Sequence, residues 1–127
     1  MAVTLETSAR NAACNGIVDL VDAGAAAGTL EFQTSGGTEV ATLTFTDPAF
    51  GNSATGVATA SAITSDTSAT GGTTTKAVFK DSDAAAVLTC SVTASGGGGD
   101  ITLAGGTVIG AGATVAVSSL TVTVPAS

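Results

Sequence analysis

The sequence predicts an all-β protein, an antiparallel β-sandwich or jelly roll with one N-terminal α-helix. Three observations carry this. Only one stretch, 8–22, repeats small and apolar residues at the helical period. Downstream, short runs alternate apolar and polar residues between clusters of Gly, Ser and Thr, as strands joined by turns do. Thr, which suits half-exposed strand faces, occurs 23 times. The 127 residues fit one domain, expected over 8–127 behind an N-terminal arm at 1–7.

In the helix, Ala9, Ala12, Ala13, Gly16, Ile17, Leu20 and Val21 share a face. Thr7 or Ser8 can cap its start, and Gly24 suits a left-handed stop. That face is narrow and made of small residues at its N-terminal end, so it is expected to lie close against a sheet or a neighbouring chain.

Strands follow. In 28–34, Leu30 and Phe32 face one way and Glu31 and Gln33 the other; in 40–46, Ala41, Leu43 and Phe45 face in. The Ser35-Gly36-Gly37-Thr38 turn makes these two a hairpin. Asp47-Pro48-Ala49-Phe50-Gly51 is a turn that folds Phe50 back onto the core. A strand of small residues spans 56–64 and a polar loop 65–72. In 73–80, Ala77 and Phe79 oppose Lys76 and Lys80. In 86–94, Leu88, Cys90 and Val92 share a face, and a flexible glycine loop follows at 95–99. Short strands are expected at 100–104 and 107–109. In 114–124 the apolar phase slips at Ser118-Ser119, where a bulge or bend would keep both sets inward.

The missing residues exclude chemistry. There is no His, Trp or Tyr, and the formal charge is −7. Without His there is no Ser–His or Cys–His nucleophile pair and no near-neutral imidazole. Three basic residues cannot build a phosphate-binding surface, so no nucleic-acid partner is expected. No apolar run approaches the roughly 20 residues of a membrane span. The start, Met1 to Glu6, lacks a signal peptide's basic and apolar regions, so synthesis in the host cytoplasm is expected. The protein is expected not to be an enzyme and to hold no cofactor or metal.

Several candidate sites reduce to plain structure. Asp81-Ser82-Asp83 spaces carboxylates like a calcium loop, but Ala85, Ala86 and Val92 stand where its continuation needs a ligand, a turn glycine and a bidentate Glu. The glycines at 96–99, 105, 106, 110 and 112 lack the lysine of a phosphate loop. Lys76 and Lys80 read as charges guarding an edge strand, or as an ion pair with an acidic partner. Cys14 and Cys90 read as two free, half-buried thiols, with one bridge as the alternative. Val, Leu, Ile and Phe number only 28, a thin core that burial against other subunits would help.

The segments Ile17–Gly24, Gly28–Phe32, Ala41–Gly51, Gly56–Ala60, Phe79–Ser82 and Ser119–Ala126 together resemble small virion-associated proteins of tailed bacteriophages and their prophages. The likeness runs over nearly the whole chain and is most specific in Leu43–Gly51. It departs at Thr73–Lys76, where a bulkier aromatic would be expected. The resemblance implies a structural virion protein and brings no catalytic residue.

A decoration or cement protein on the capsid exterior is the leading expectation, with the major capsid protein and other copies of the chain as partners. The resemblance and the thin core together imply a symmetric homo-oligomer, a trimer first. A tail, neck or head-fibre component comes second, and a host-surface or glycan-binding module third. The expected contacts are the arm residues Ala2, Val3, Thr4, Leu5 and Glu6, which could add a strand to a neighbour, and the helix edge with Arg10, Asp19 and Asp22.

Overall fold

In a computed structural model describing residues 3–127, one helix precedes a strand-rich body. Helix α1 (Thr7–Asp19) runs into a 3-10 turn at Leu20–Asp22. The strands are β1 (Thr29–Gln33), β2 (Glu39–Thr44), β3 (Val57–Thr59), β4 (Gly72–Thr73), β5 (Lys76–Lys80), β6 (Ala86–Ala94), β7 (Ile101–Leu103), β8 (Val108–Ile109) and β9 (Thr121–Thr123). Five form one curled sheet in the order β2-β1-β5-β6-β7; β3 pairs with β9 and β4 with β8.

The expected hairpin is present. β1 and β2 are antiparallel, with Leu30 opposite Leu43 and Phe32 opposite Ala41, all four fully buried. Both faces of this hairpin carry covered residues, since Val40 and Gln33 are buried too. The turn at 47–51, with a cis Asp47-Pro48 bond, brings Phe50 back as anticipated. Its ring lies 5.6 Å from Phe45 and 6.2 Å from Phe79, and Phe45 lies 5.7 Å from Phe79. Those spacings suit attractive aromatic pairs, so three of the chain's large side chains knit the turn, β2 and β5 together.

The sheet is mixed rather than wholly antiparallel, which corrects the expected topology. β6 and β7 run parallel, with Val92 beside Ile101 and Ala94 beside Leu103. Parallel neighbours ordinarily need a crossover of a dozen or more residues, yet only 95–100 connect these two. The glycines make the short return possible. A Cβ on Gly97 would sit 2.7 Å from Thr93 Cβ, and one on Gly99 would sit 2.8 Å from Thr93 Oγ1. The loop therefore folds directly over Thr93, whose hydroxyl accepts the Gly99 N–H at 3.0 Å. Asp100 fixes the far end, accepting the Ser91 N–H at 3.0 Å and its hydroxyl at 3.1 Å.

Three further expectations are revised. The strand expected over 73–80 breaks in two, because Thr74 turns inward, fully buried, with its hydroxyl 3.1 Å from the Gln33 carbonyl. The Thr74 N–H donates to Thr107 rather than to the main sheet. Next, β5 lies between β1 and β6, so Lys76 and Lys80 guard no edge. Finally, the long strands expected over 56–64 and 114–124 pair regularly only at β3 and β9. An Asp66–Val115 bridge joins them again farther along, one residue out of register. The chain bends at Ser118 between the two contacts, keeping Val115 and Leu120 buried on either side of the expected slip.

Replacing Gly97 by Ala should cost about 1–3 kcal/mol, because the new methyl overpacks a stiff β-branched neighbour. Chemical denaturation of Gly97→Ala against the parent protein measures this, and an unchanged midpoint would mean the return does not need the close approach.

Candidate functional site

The helix packs by a face that shares only Ile17 and Val21 with the expected one. Cys14, Val18 and Val21 are buried, and Arg10, Asn11, Asn15 and Ile17 are half-buried or intermediate on that side. The expected inner residues Ala9, Ala12, Ala13, Gly16 and Leu20 face solvent, and Leu20 is 56% exposed. The reason lies in what the helix meets. It docks on main-chain groups at the end of β3 and β9 as well as on apolar surface, so side chains that can donate or accept turn inward. Arg10 Nε donates to the Val124 carbonyl at 2.9 Å, and Cys14 Sγ donates to that of Val122 at 3.3 Å. Asn11 Oδ1 accepts the Gly56 N–H and Asn15 Oδ1 the Ser53 N–H, each at 2.8 Å. The Asn11 and Asn15 pair, one helical turn apart, was the available signal in the sequence.

The expected contact residues therefore divide. Ala2 lies outside the described residues. Val3 is 71% exposed, and Thr4 and Glu6 are exposed, while the Leu5 N–H is tied to the chain's own Ala126 carbonyl at 2.6 Å. Glu6 is extended and immediately precedes the helix. Asp19 is exposed. Asp22 is engaged within the fold, accepting the Ala49 N–H at 2.8 Å, and Arg10 is engaged at Val124. Both bonds help hold the helix on the body.

A second surface was not foreseen. A cleft of about 370 Å³ opens between Asp100–Ala104 and Ala116–Thr121. It continues as a space of about 330 Å³ between Leu103–Gly110 and Ala113–Ala116. Asp100 is the one charged side chain on these walls, which are otherwise Gly, Ala, Ser, Thr and aliphatic residues. Hydrogen bonds from the Ser91 N–H and hydroxyl hold the Asp100 carboxyl below the usual carboxylate range.

One ion pair forms among the described residues. Lys80 Nζ lies 2.9 Å from Glu31 Oε2 across β1 and β5, with both side chains mostly covered. Burial alone would raise the Glu31 carboxyl, but the hydrogen bonds from Lys80 and Gln33 and the Lys80 charge hold it below its usual value. Asp81 Oδ1 accepts the N–H groups of Asp83 and Ala85, each at 2.9 Å, which makes 81–85 a self-contained turn.

No family model, curated protein or solved structure matches this chain. Among the described residues, no helix is long and apolar enough to cross a membrane. Both cysteines are free thiols, Cys14 fully buried and Cys90 half-covered.

Two tests follow from these groups. Burial and the neighbouring Asp100 push the Cys90 thiol up to about 11, so alkylation near pH 8 should be far slower than at an exposed cysteine. Cys14 should react only on unfolding. Mass spectrometry of alkylated protein reads both, and rapid labelling of folded protein at Cys14 would contradict this packing. Separately, Glu31→Gln should cost about 1 kcal/mol at neutral pH. A depressed carboxyl stabilises the fold fully above its ordinary value of 4.5 and loses that contribution as the pH falls through its folded value. The gap between parent and variant in urea should therefore close on acidification, and a gap independent of pH would assign the effect to packing.

Proposed function

We propose that this chain is a structural virion protein that decorates and stabilises the outer surface of a tailed-phage capsid, bound to the major capsid protein and to other copies of itself. The observation that carries the reading is the outward helix face. A helix on an isolated domain ordinarily turns its apolar stripe to the core. Here Ala9, Ala12, Ala13, Gly16 and Leu20 point to solvent, and the four small ones let another backbone approach closely.

Other features support the same reading. The charge of −7 disfavours the DNA-lined interior of a capsid and is compatible with its exterior. The sequence resemblance points to a particle component. All four phenyl rings are buried, which counts against a glycan site, since sugars usually stack on an exposed aromatic. In this reading the curled sheet and its flanking ladders are the layers of a β-sandwich, the assembly is a trimer, and the protein is not an enzyme. A tail, neck or head-fibre position would use the same surfaces and differs only in where the protein sits on the particle.

Gly16 separates fold from attachment, because a Cβ there meets nothing within 4 Å. Gly16→Ala should raise the stability of the isolated protein by up to about 1 kcal/mol, the helix-propensity gain. Gly16→Glu should leave the fold intact but lower self-association or occupancy on particles at least tenfold, read by sedimentation and by gel densitometry of purified virions. Full occupancy with Gly16→Glu would remove the helix face from the account.

A further inference from the structure

The curled sheet stops one neighbour short of closing. Its β2 edge is covered: Thr44 bridges to Thr64, the Val40 carbonyl accepts the Gly71 N–H, and Asp66 accepts the Thr42 N–H. From there the chain continues through the Asp66–Val115 bridge to the stretch that ends in β9. At the other end, β7 pairs only with β6. The cleft of about 370 Å³ lies between these two ends.

Both walls of the cleft offer main chain. The Leu103 carbonyl turns toward β6, where it accepts the Ser95 N–H at 3.3 Å. Backbone groups alternate sides along a strand, so Thr102 turns its N–H and C=O to the opposite, open edge. On the facing wall, Val115 is bonded to Asp66 and the Leu120 carbonyl to Ala60, but residues 116–119 make no main-chain hydrogen bond among the described residues. An exposed edge of this kind is ordinarily guarded by lysine, proline or an inward charge. The edge Ile101-Thr102-Leu103-Ala104 carries none of these.

We infer that the cleft between β7 and residues 116–120 receives an extended strand from the particle's shell protein, which completes the curled sheet. This rests on the particle-component reading and names its binding mode. The match is one of chemistry. Unpaired N–H and C=O groups on both walls bond best to another main chain, as in strand addition. Apart from Asp100, the lining of Ala, Ser, Thr and aliphatic residues is uncharged and suits side chains alternating outward and inward. The only wall charge is Asp100, and the net charge of −7 favours an incoming strand that is neutral or basic.

The test uses virions or empty shells prepared without this protein, with the full-length chain added back, and amide hydrogen exchange recorded free and bound. Exchange at Thr102 and at 116–119 should slow at least tenfold on attachment. Thr102→Pro, which removes the outward donor, and Thr102→Lys, which places a charge on the open edge, should each weaken co-sedimentation at least tenfold while circular dichroism stays unchanged. Should Thr102→Pro misfold, Thr102→Lys and the parent's exchange pattern still decide. Attachment with unchanged exchange at these amides would overturn the inference and leave the particle reading standing. No attachment at all would overturn both. The same protection appearing in concentrated protein alone would make a second copy the occupant, and this too would overturn it.

Discussion

The tight return after β6 is the constraint on which the rest of the sheet depends. Thr93 and the glycines packed over it send the chain back in the direction it came from, within six residues, 95–100. An antiparallel hairpin there would have left a sheet of simple up-and-down strands. The parallel return instead ends the sheet at β7, while the later strand β9 goes to β3 on the far side. The opening between those two strands is thus a consequence of topology, and the Asp100 bonds to Ser91 hold its rim in place.

The way the helix docks follows from a shortage of large apolar residues. The core relies on four phenylalanines, three of them in mutual contact, with alanine filling much of the remainder. The helix therefore adds only Cys14, Val18 and Val21 to that core and is held otherwise by hydrogen bonds that Arg10 donates and Asn11, Asn15 and Asp22 accept. Each such bond to a buried main-chain group contributes about 1 kcal/mol net, and losing it would strand a polar partner. A helix attached this way leaves its stripe of Ala9, Ala12, Ala13, Gly16 and Leu20 uncovered. The stripe and the sheet opening are two surfaces on which a repeated, symmetric assembly could gain many modest contacts.

Much of the architecture was legible in the residues. The hairpin of β1 and β2, the inward fold of Phe50, the span of β6 and the slip at Ser118 all follow from period-two alternation and turn chemistry, which act locally. What was hidden depended on partners far along the chain. The inner face of α1 was legible only at Ile17 and Val21, because hydrophobic periodicity ignores side chains that bond to main chain, and Gly56 and Val124 lie far from Asn11 and Arg10 in sequence. The parallel pairing was hidden because glycine marks a turn without stating its direction; only the nearness of Thr93 to Gly97 and Gly99 does that. On the helix edge, charge alone does not tell Asp19, which is exposed, from Asp22, which accepts the Ala49 N–H.

The most direct measurement is electron cryomicroscopy of native particles at a resolution that traces main chain around this protein. The account predicts a strand from another chain beside Thr102, its main-chain atoms about 2.9 Å from the outward N–H and C=O of β7. A protein seated by other surfaces, with nothing but solvent between β7 and residues 116–120, would contradict it.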